Sequence, residues 1–267
     1  MHPILLHFKF PIYSYGVCVA IAFLLGYYLV LKKAAIENIQ KEFISDLLLV
    51  IIISGIVGSR LLYVVFNIRY FMDNPFEIVM INRGGLIVYG GIIATFIVTS
   101  IYTTMKGHKF FFIADLVVPF LALGQSLGRI GCYLNGCCYG KVTSFPVGVA
   151  FPRYSLPYFN HIDKGFINGD MYASLPVHPA QLYSSGLDLL IFVVLLLVYD
   201  KRKWNGQVFW LYVVLYPLKR FFVEFFRGDS AICGGGMTIY QIISIGVIMI
   251  GCFGYFVTKH YKDSYKL

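Results

Sequence analysis

The sequence predicts an all-α, polytopic integral membrane protein with seven transmembrane helices and an irregular extracytoplasmic loop region. Three observations predict it. Hydrophobic residues make up 58% of the chain and charged residues 13%, with a mean hydropathy of +0.74. That is more apolar surface than a water-soluble fold hides. Seven apolar runs reach the ~20 residues a helix needs to cross hydrocarbon. Lysines gather in every second loop between those runs. The same composition excludes a disordered chain. The net charge of +9 reads as a topology signal plus a few special arginines rather than as a nucleic-acid patch.

The first run lies near 12–31, opens on Tyr15-Gly16 and follows a start with no evident cleavable signal peptide. The second, 44–65, contains Gly58-Ser59-Arg60 and Tyr63. The third, 85–105, opens with the paired glycines 84–85 and 90–91 around Tyr89. The fourth, 110–128, runs into a glycine-rich turn. Residues 129–180 hold Pro146, Pro152, Pro157 and Pro176 and read as a loop region packed on the membrane surface, inside one membrane domain of 1–267. His178-Pro-Ala-Gln181-Leu-Tyr183 leads into the fifth run, 181–199; the sixth and seventh are 206–226 and 237–258. The fourth, sixth and seventh are interrupted by Gly, Pro or polar residues. Membranes tolerate such breaks where they face protein or a wet cavity.

Lys32, Lys33 and Lys41, then Lys106 and Lys109, then Lys201, Arg202 and Lys203, then Lys259, Lys262 and Lys266 all fall on one side. The positive-inside rule makes that side cytoplasmic. The N-terminus and 129–180 are then extracytoplasmic and the C-terminus cytoplasmic. Of eight arginines, only Arg202 lies in a cytoplasmic loop. Arg69, Arg83 and Arg153 read as partners of acidic residues or headgroups. Arg60, Arg129, Arg220 and Arg227 sit in polar clusters within apolar sequence, where a charge needs a partner or a task.

Five glycines between 124 and 140 argue against a smooth helix and place Arg129 where the fourth span breaks. On a helix, Arg220, Glu224 and Arg227 at i, i+4 and i+7 share one face, with Glu224 orienting the arginines. Arginine's planar fork suits phosphate. His178 is a candidate base or hydrogen-bond donor, with Gln181 and Tyr183 as positioning groups. Every one of these residues maps to the outer half. An arginine-lined cavity open to the outer leaflet follows, and a phospholipid headgroup is its natural ligand. There is no Walker loop, His-Glu-x-x-His motif or nucleophile elbow. Cys132, Cys137 and Cys138 lack a His at ligand spacing, so no metal site and no cofactor are expected. The favoured reading makes them small packing residues in a tight turn. A disulfide or a reactive thiol beside Arg129 stays open.

Tyr15-Gly16, Gly58-x-Arg60, Gly84-Gly85-x4-Gly90-Gly91, Asp115, Gly128-Arg129-x-Gly131-x3-Asn135-Gly136-x3-Gly140, His178-Pro-x-Gln181-x-Tyr183 and Arg220-x3-Glu224-x2-Arg227 occur in one order along nearly the whole chain. In order and spacing this set resembles the prolipoprotein diacylglyceryl transferase family. The resemblance implies a seven-span enzyme of the bacterial plasma membrane. It would transfer diacylglycerol from phosphatidylglycerol to the lipobox cysteine of a prolipoprotein signal peptide and release glycerol phosphate. It implies Arg129, Arg220, Tyr89 and His178 as catalytic residues. Tyr15, Arg60, Asn135, Gly140, Gln181, Tyr183, Glu224 and Arg227 would bind substrate. Three departures stand out. Cys132 and Cys137 occupy places where the family motif carries Asn and Glu, Tyr89 one where many members carry His, and Ser184 one where Glu is common. A paralogous transferase with another acceptor and a non-catalytic phospholipid carrier are the rival readings.

The lysine asymmetry yields a direct test. Reporter fusions after Lys203 and Lys266 are expected to read as cytoplasmic, and one within 155–170 as external. A cytoplasmic signal from the last fusion refutes the topology.

Overall fold

The computed structural model describes residues 4–7, 11–81, 84–228, 233 and 235–264. Arg83, Asp229 and Lys266, and the side chain of Lys262, lie outside the described residues. The chain opens with a small antiparallel hairpin, β1 (Ile4–His7) and β2 (Pro11–Tyr13). Everything regular after it is helical: α1 (Ser14–Ile36), α2 (Lys41–Phe66), α3 (Ile68–Asp73), a 3-10 turn at Pro75–Val79, α4 (Val88–Met105) and α5 (Phe110–Asn135). Then follow α6 (Leu156–Asp163), α7 (Ala180–Tyr199), α8 (Gln207–Glu224) and α9 (Ile239–Ser264). The all-α membrane architecture is as expected. Six of these helices, α1, α2, α4, α5, α7 and α9, are long and apolar enough to cross a membrane. The expected seventh, α8, forms in place but carries Lys219, Arg220 and Glu224, so length and composition alone give six spans rather than seven.

The chain divides into two compact units, Val30–Ile113 and Met1–Leu29 with Ala114–Leu267. In the first, α2 and α4 meet along a seam of small residues. A Cβ added to Gly58 would lie 2.6 Å from the Gly90 carbonyl oxygen, and one on Gly91 would lie 2.7 Å from that of Gly55. Backbone contact of this kind is how helices pack where lipid removes the hydrophobic incentive to associate.

In the second unit, α5 runs unbroken to Asn135, so the break expected at Gly128 is absent and Arg129 lies inside a helix. The glycines serve packing instead. A Cβ on Gly131 would meet Cys18 Cβ at 3.0 Å and Tyr15 Cδ2 at 3.2 Å, and close approach of α1 outweighs glycine's low helix propensity. The irregular segment therefore starts after Asn135. Asp115 caps α8: its carboxylate accepts from the N–H groups of Gly206 at 2.7 Å and Phe209 at 2.8 Å. Ser126 and Ser185 bond each other between α5 and α7, and the buried pair Lys219–Asp188 joins α8 to α7 at 2.8 Å. Gly251 admits the Val213–Val214 ridge of α8 onto α9.

The segment after α5 has its own core of Tyr139, Phe151 and Val177, tied by reciprocal bonds between Val149 and Val177 at 3.0 and 3.1 Å. His161 is 2% exposed and its Nδ1 accepts from the Leu175 N–H at 3.2 Å, which only a ring unprotonated at Nδ1 can do. Burial first, then the Lys164 charge, hold its pKa below the ordinary value. The unfolded chain binds that proton near pH ~6.5, so this stability is complete above that pH and falls as the medium acidifies toward the lowered folded pKa. Limited proteolysis within 140–179 is expected to accelerate from about pH 7.5 to about pH 5 in the wild type and much less in His161→Gln. Equal pH slopes in both refute the assignment.

Candidate active site

The second unit holds ten of the twelve sequence-predicted site residues, and a backbone junction at Gly140 ties together several of the segments that carry them. The Gly140 N–H donates to the His178 carbonyl at 3.0 Å, and the His178 N–H donates to that of Lys141 at 3.0 Å. On the other side the Lys141 N–H donates to Phe226 O at 2.7 Å and the Gly228 N–H to Tyr139 O at 3.2 Å. Three segments thus lie side by side: the turn after α5, the approach to α7 and the exit from α8. Only glycine fits the middle. A Cβ at 140 would lie 2.5 Å from His178 O and 2.7 Å from Phe226 O. Gly140 is therefore a packing element that positions His178 and Arg227. His178 Nδ1 shares a 3.2 Å hydrogen bond with the Tyr183 hydroxyl, and both rings pack against Phe226.

The expected helical stripe of Arg220, Glu224 and Arg227 is half realised. α8 ends at Glu224, and Arg227 reaches the cluster through its bridge to Gly140 instead of along a helix face. Glu224 Oε2 lies 3.0 Å from Arg220 and 3.9 Å from Arg227, while Oε1 accepts from Thr238 at 3.1 Å. Arg220 also rests on the Tyr240 ring at 4.6 Å. Arg129 lies within electrostatic reach of Arg220 and Arg227. Among the described residues it makes no hydrogen bond or ion pair. Among the described residues Glu224 meets Arg220 and Arg227, and the nearby Lys219 has its own partner in Asp188. The Arg129 guanidinium is then placed to meet an anion.

Beside Arg129 are the thiols of Cys132, Cys137 and Cys138, whose sulfurs all lie within 4.8 Å of one another without any histidine. The Cys137 thiol donates to the Cys132 carbonyl at 3.7 Å. The Cys138 thiol is held below its ordinary pKa, first by hydrogen bonds from Cys132 and Cys137, with the Arg227 and Arg129 charges adding to them. Tyr15, 45% exposed, stands within electrostatic range of the trio. Gln181 is 1% exposed and its Nε2 donates to the Cys137 carbonyl at 2.8 Å, so it supports the turn.

Two sequence-predicted residues belong to the first unit. Arg60 does not offer a free fork. It donates to the carbonyls of Ile78 at 2.8 Å and of Gly84 and Gly85 at 2.6 and 3.1 Å, to Met80 at 3.3 Å, and to Glu77. These hydrogen bonds fasten the loop between α3 and α4. Tyr89 stands in the first turn of α4, 43% exposed. Sequence reasoning missed Asp188 and Lys219 as a pair. The available signal was the single acid in the fifth apolar run.

A family model described as prolipoprotein diacylglyceryl transferase matches residues 3–257. The chain is 36% identical over 264 residues to the phosphatidylglycerol–prolipoprotein diacylglyceryl transferase of Clostridium tetani, covering 98% of this chain and 100% of the relative. Proteins of the same name from Finegoldia magna and Fervidobacterium nodosum are each 36% identical, over 91% and 92% of this chain and 90% and 81% of their own lengths.

The junction makes Gly140→Ala a sharp probe. Forcing apart two backbone segments is expected to cost about 1–3 kcal/mol and to lower activity with it. Gly186→Ala on α7, where a Cβ meets nothing within 4 Å, is expected to be neutral. Thermal unfolding and activity of both variants check this; an unaffected Gly140→Ala removes the junction from the argument.

Proposed function

The chain belongs to the prolipoprotein diacylglyceryl transferase family, and on that premise we propose that it transfers the diacylglyceryl group of phosphatidylglycerol to the lipobox cysteine of prolipoproteins. The observation that carries the reading is the guanidinium of Arg129, which makes no hydrogen bond or ion pair among the described residues and lies near Arg220 and Arg227. A guanidinium so placed can take a phosphodiester and gains affinity as the charge on phosphate grows. That growth is what the reaction demands. The acceptor sulfur attacks the glycerol carbon bearing the phosphate ester, the C–O bond breaks, and the bond pair leaves on glycerol phosphate, whose extra negative charge falls among the arginines. Arg129 and Arg220 clamp the phosphate, while Glu224 and Arg227 hold Arg220 in register. His178, oriented by Tyr183, accepts the thiol proton. Gln181 keeps the turn after α5 in place, and Asn135 is the residue on which α5 ends.

This reading sets the enzyme in the bacterial plasma membrane with its N-terminus outside and its C-terminus in the cytoplasm, from the lysine distribution. The segment 136–179 and the arginines then face the outer leaflet, where an incoming signal peptide presents its cysteine. No nucleic acid takes part.

Purified protein incubated with phosphatidylglycerol and a lipobox peptide is expected to give the diacylglyceryl thioether by mass and free glycerol phosphate in equal amount. Arg129→Lys and Arg220→Lys keep the charge but lose the bidentate fork, and each is expected to lower turnover roughly a hundredfold while the protein stays folded. Near-normal turnover in both rejects the clamp.

A further inference from the structure

The three thiols beside the arginines have no task in the scheme above, and their geometry suggests one. Cys132 lies on the last turn of α5, which stops at Asn135. The chain then turns back through Gly136 at φ +77° and Cys138 at φ +59°. A non-glycine residue in the left-handed region is uncommon, and folds keep such conformations where they serve a site. Here the turn aims both later sulfurs at the first, and Gln181 fixes it through the Cys137 carbonyl. Thiolates bound to zinc at ~2.3 Å stand roughly 3.8–4.0 Å apart, so sulfurs within 4.8 Å of one another need less than about 1 Å of adjustment to share an ion.

Ligand type and charge narrow the choice. Thiolates select soft or borderline ions. A divalent ion with three thiolates carries one net negative charge, and the neighbouring Arg129 and Arg227 compensate it. Three protein ligands leave a tetrahedral ion one position open, the arrangement of reactive zinc sites as opposed to structural ones. The group that has to be delivered to this cluster is itself a thiol.

We propose that Cys132, Cys137 and Cys138 bind a zinc ion whose fourth position takes the acceptor cysteine as its thiolate. The proposal rests on the transferase reading for the identity of that fourth ligand. In the step it describes, the acceptor thiol loses its proton to His178 or to water on binding the metal. A sulfur lone pair then forms the S–C bond to the glycerol carbon as the C–O bond breaks toward phosphate. The resulting thioether is a weaker ligand and leaves. Nothing is oxidised or reduced.

The test uses the full chain, purified reduced and metal-free in detergent, and titrated with zinc and with cobalt(II). About one ion per chain is expected to bind, with the near-ultraviolet thiolate-to-cobalt band and the visible bands of a four-coordinate centre. A lipobox peptide is expected to shift those bands, and the same peptide with serine for its cysteine is not. Cys132→Ser, Cys137→Ser and Cys138→Ser each lose stoichiometric binding, whereas Cys252→Ser keeps it. Zinc-loaded enzyme is expected to transfer diacylglycerol roughly tenfold faster than chelated enzyme at neutral pH, because a free thiol of pKa ~8.5 is only a few per cent thiolate there. Absence of metal binding, a cobalt spectrum indifferent to the cysteine peptide, an intact mass showing a disulfide within the trio, or unchanged transfer after chelation each overturn the proposal. A peptide-responsive cobalt spectrum without diacylglyceryl transfer in either form supports the metal site and refutes the transferase reading instead.

Discussion

The site depends on one steric constraint, the absence of a side chain at position 140. Its backbone is bonded to the approach to α7 on one side and to the exit of α8 on the other. Remove that contact and His178, Arg227 and the thiol turn lose their common frame, since each sits within a few residues of the junction. The relative placement of these residues comes from main-chain hydrogen bonds in an irregular segment, held between the flanking helices. The Ser126–Ser185 bonds, the Asp115 cap and the Lys219–Asp188 pair supply that locking from below.

Charge is divided in the same unit into a neutral part and a positive part. Lys219 and Asp188 neutralise each other at 2.8 Å, both buried. Arg220 and Arg227 meet Glu224, and Arg129 makes no ion pair among the described residues. The first arrangement holds helices together; the second keeps an unmet electrostatic demand in a place of low dielectric, where an anion that meets it binds strongly. Arg60 shows that an arginine in apolar sequence need not be of the second kind. Its five contacts to main-chain carbonyls satisfy it without any acid or ligand.

Much of this was legible in the amino-acid sequence. Long apolar runs and lysine-rich loops are one-dimensional signals, so the helices fell where expected within a few residues. The arginine cluster was legible because charge in apolar sequence is rare. What escaped depends on contacts between distant segments. The unbroken α5 follows from α1 packing against Gly131, which no local propensity encodes. Arg227 joins Glu224 through a strand-like bridge rather than by helical spacing. Arg60 and Arg129 look alike in sequence, and only the carbonyls of 77–85 tell them apart. The convergence of the three sulfurs required the backbone angle at Cys138, which sequence spacing does not give.

The Lys219–Asp188 pair bears on how the chain enters the bilayer in the first place. Taken alone, α8 carries three charges, and each placed at mid-membrane opposes partitioning by about 2.5–3.5 kcal/mol. The countercharge for one of them is on α7, and the acceptor for the first N–H groups of α8 is on α5. In the folded chain α8 is thus never a lone charged segment: one of its charges is neutralised by α7 and its first N–H groups are met by α5.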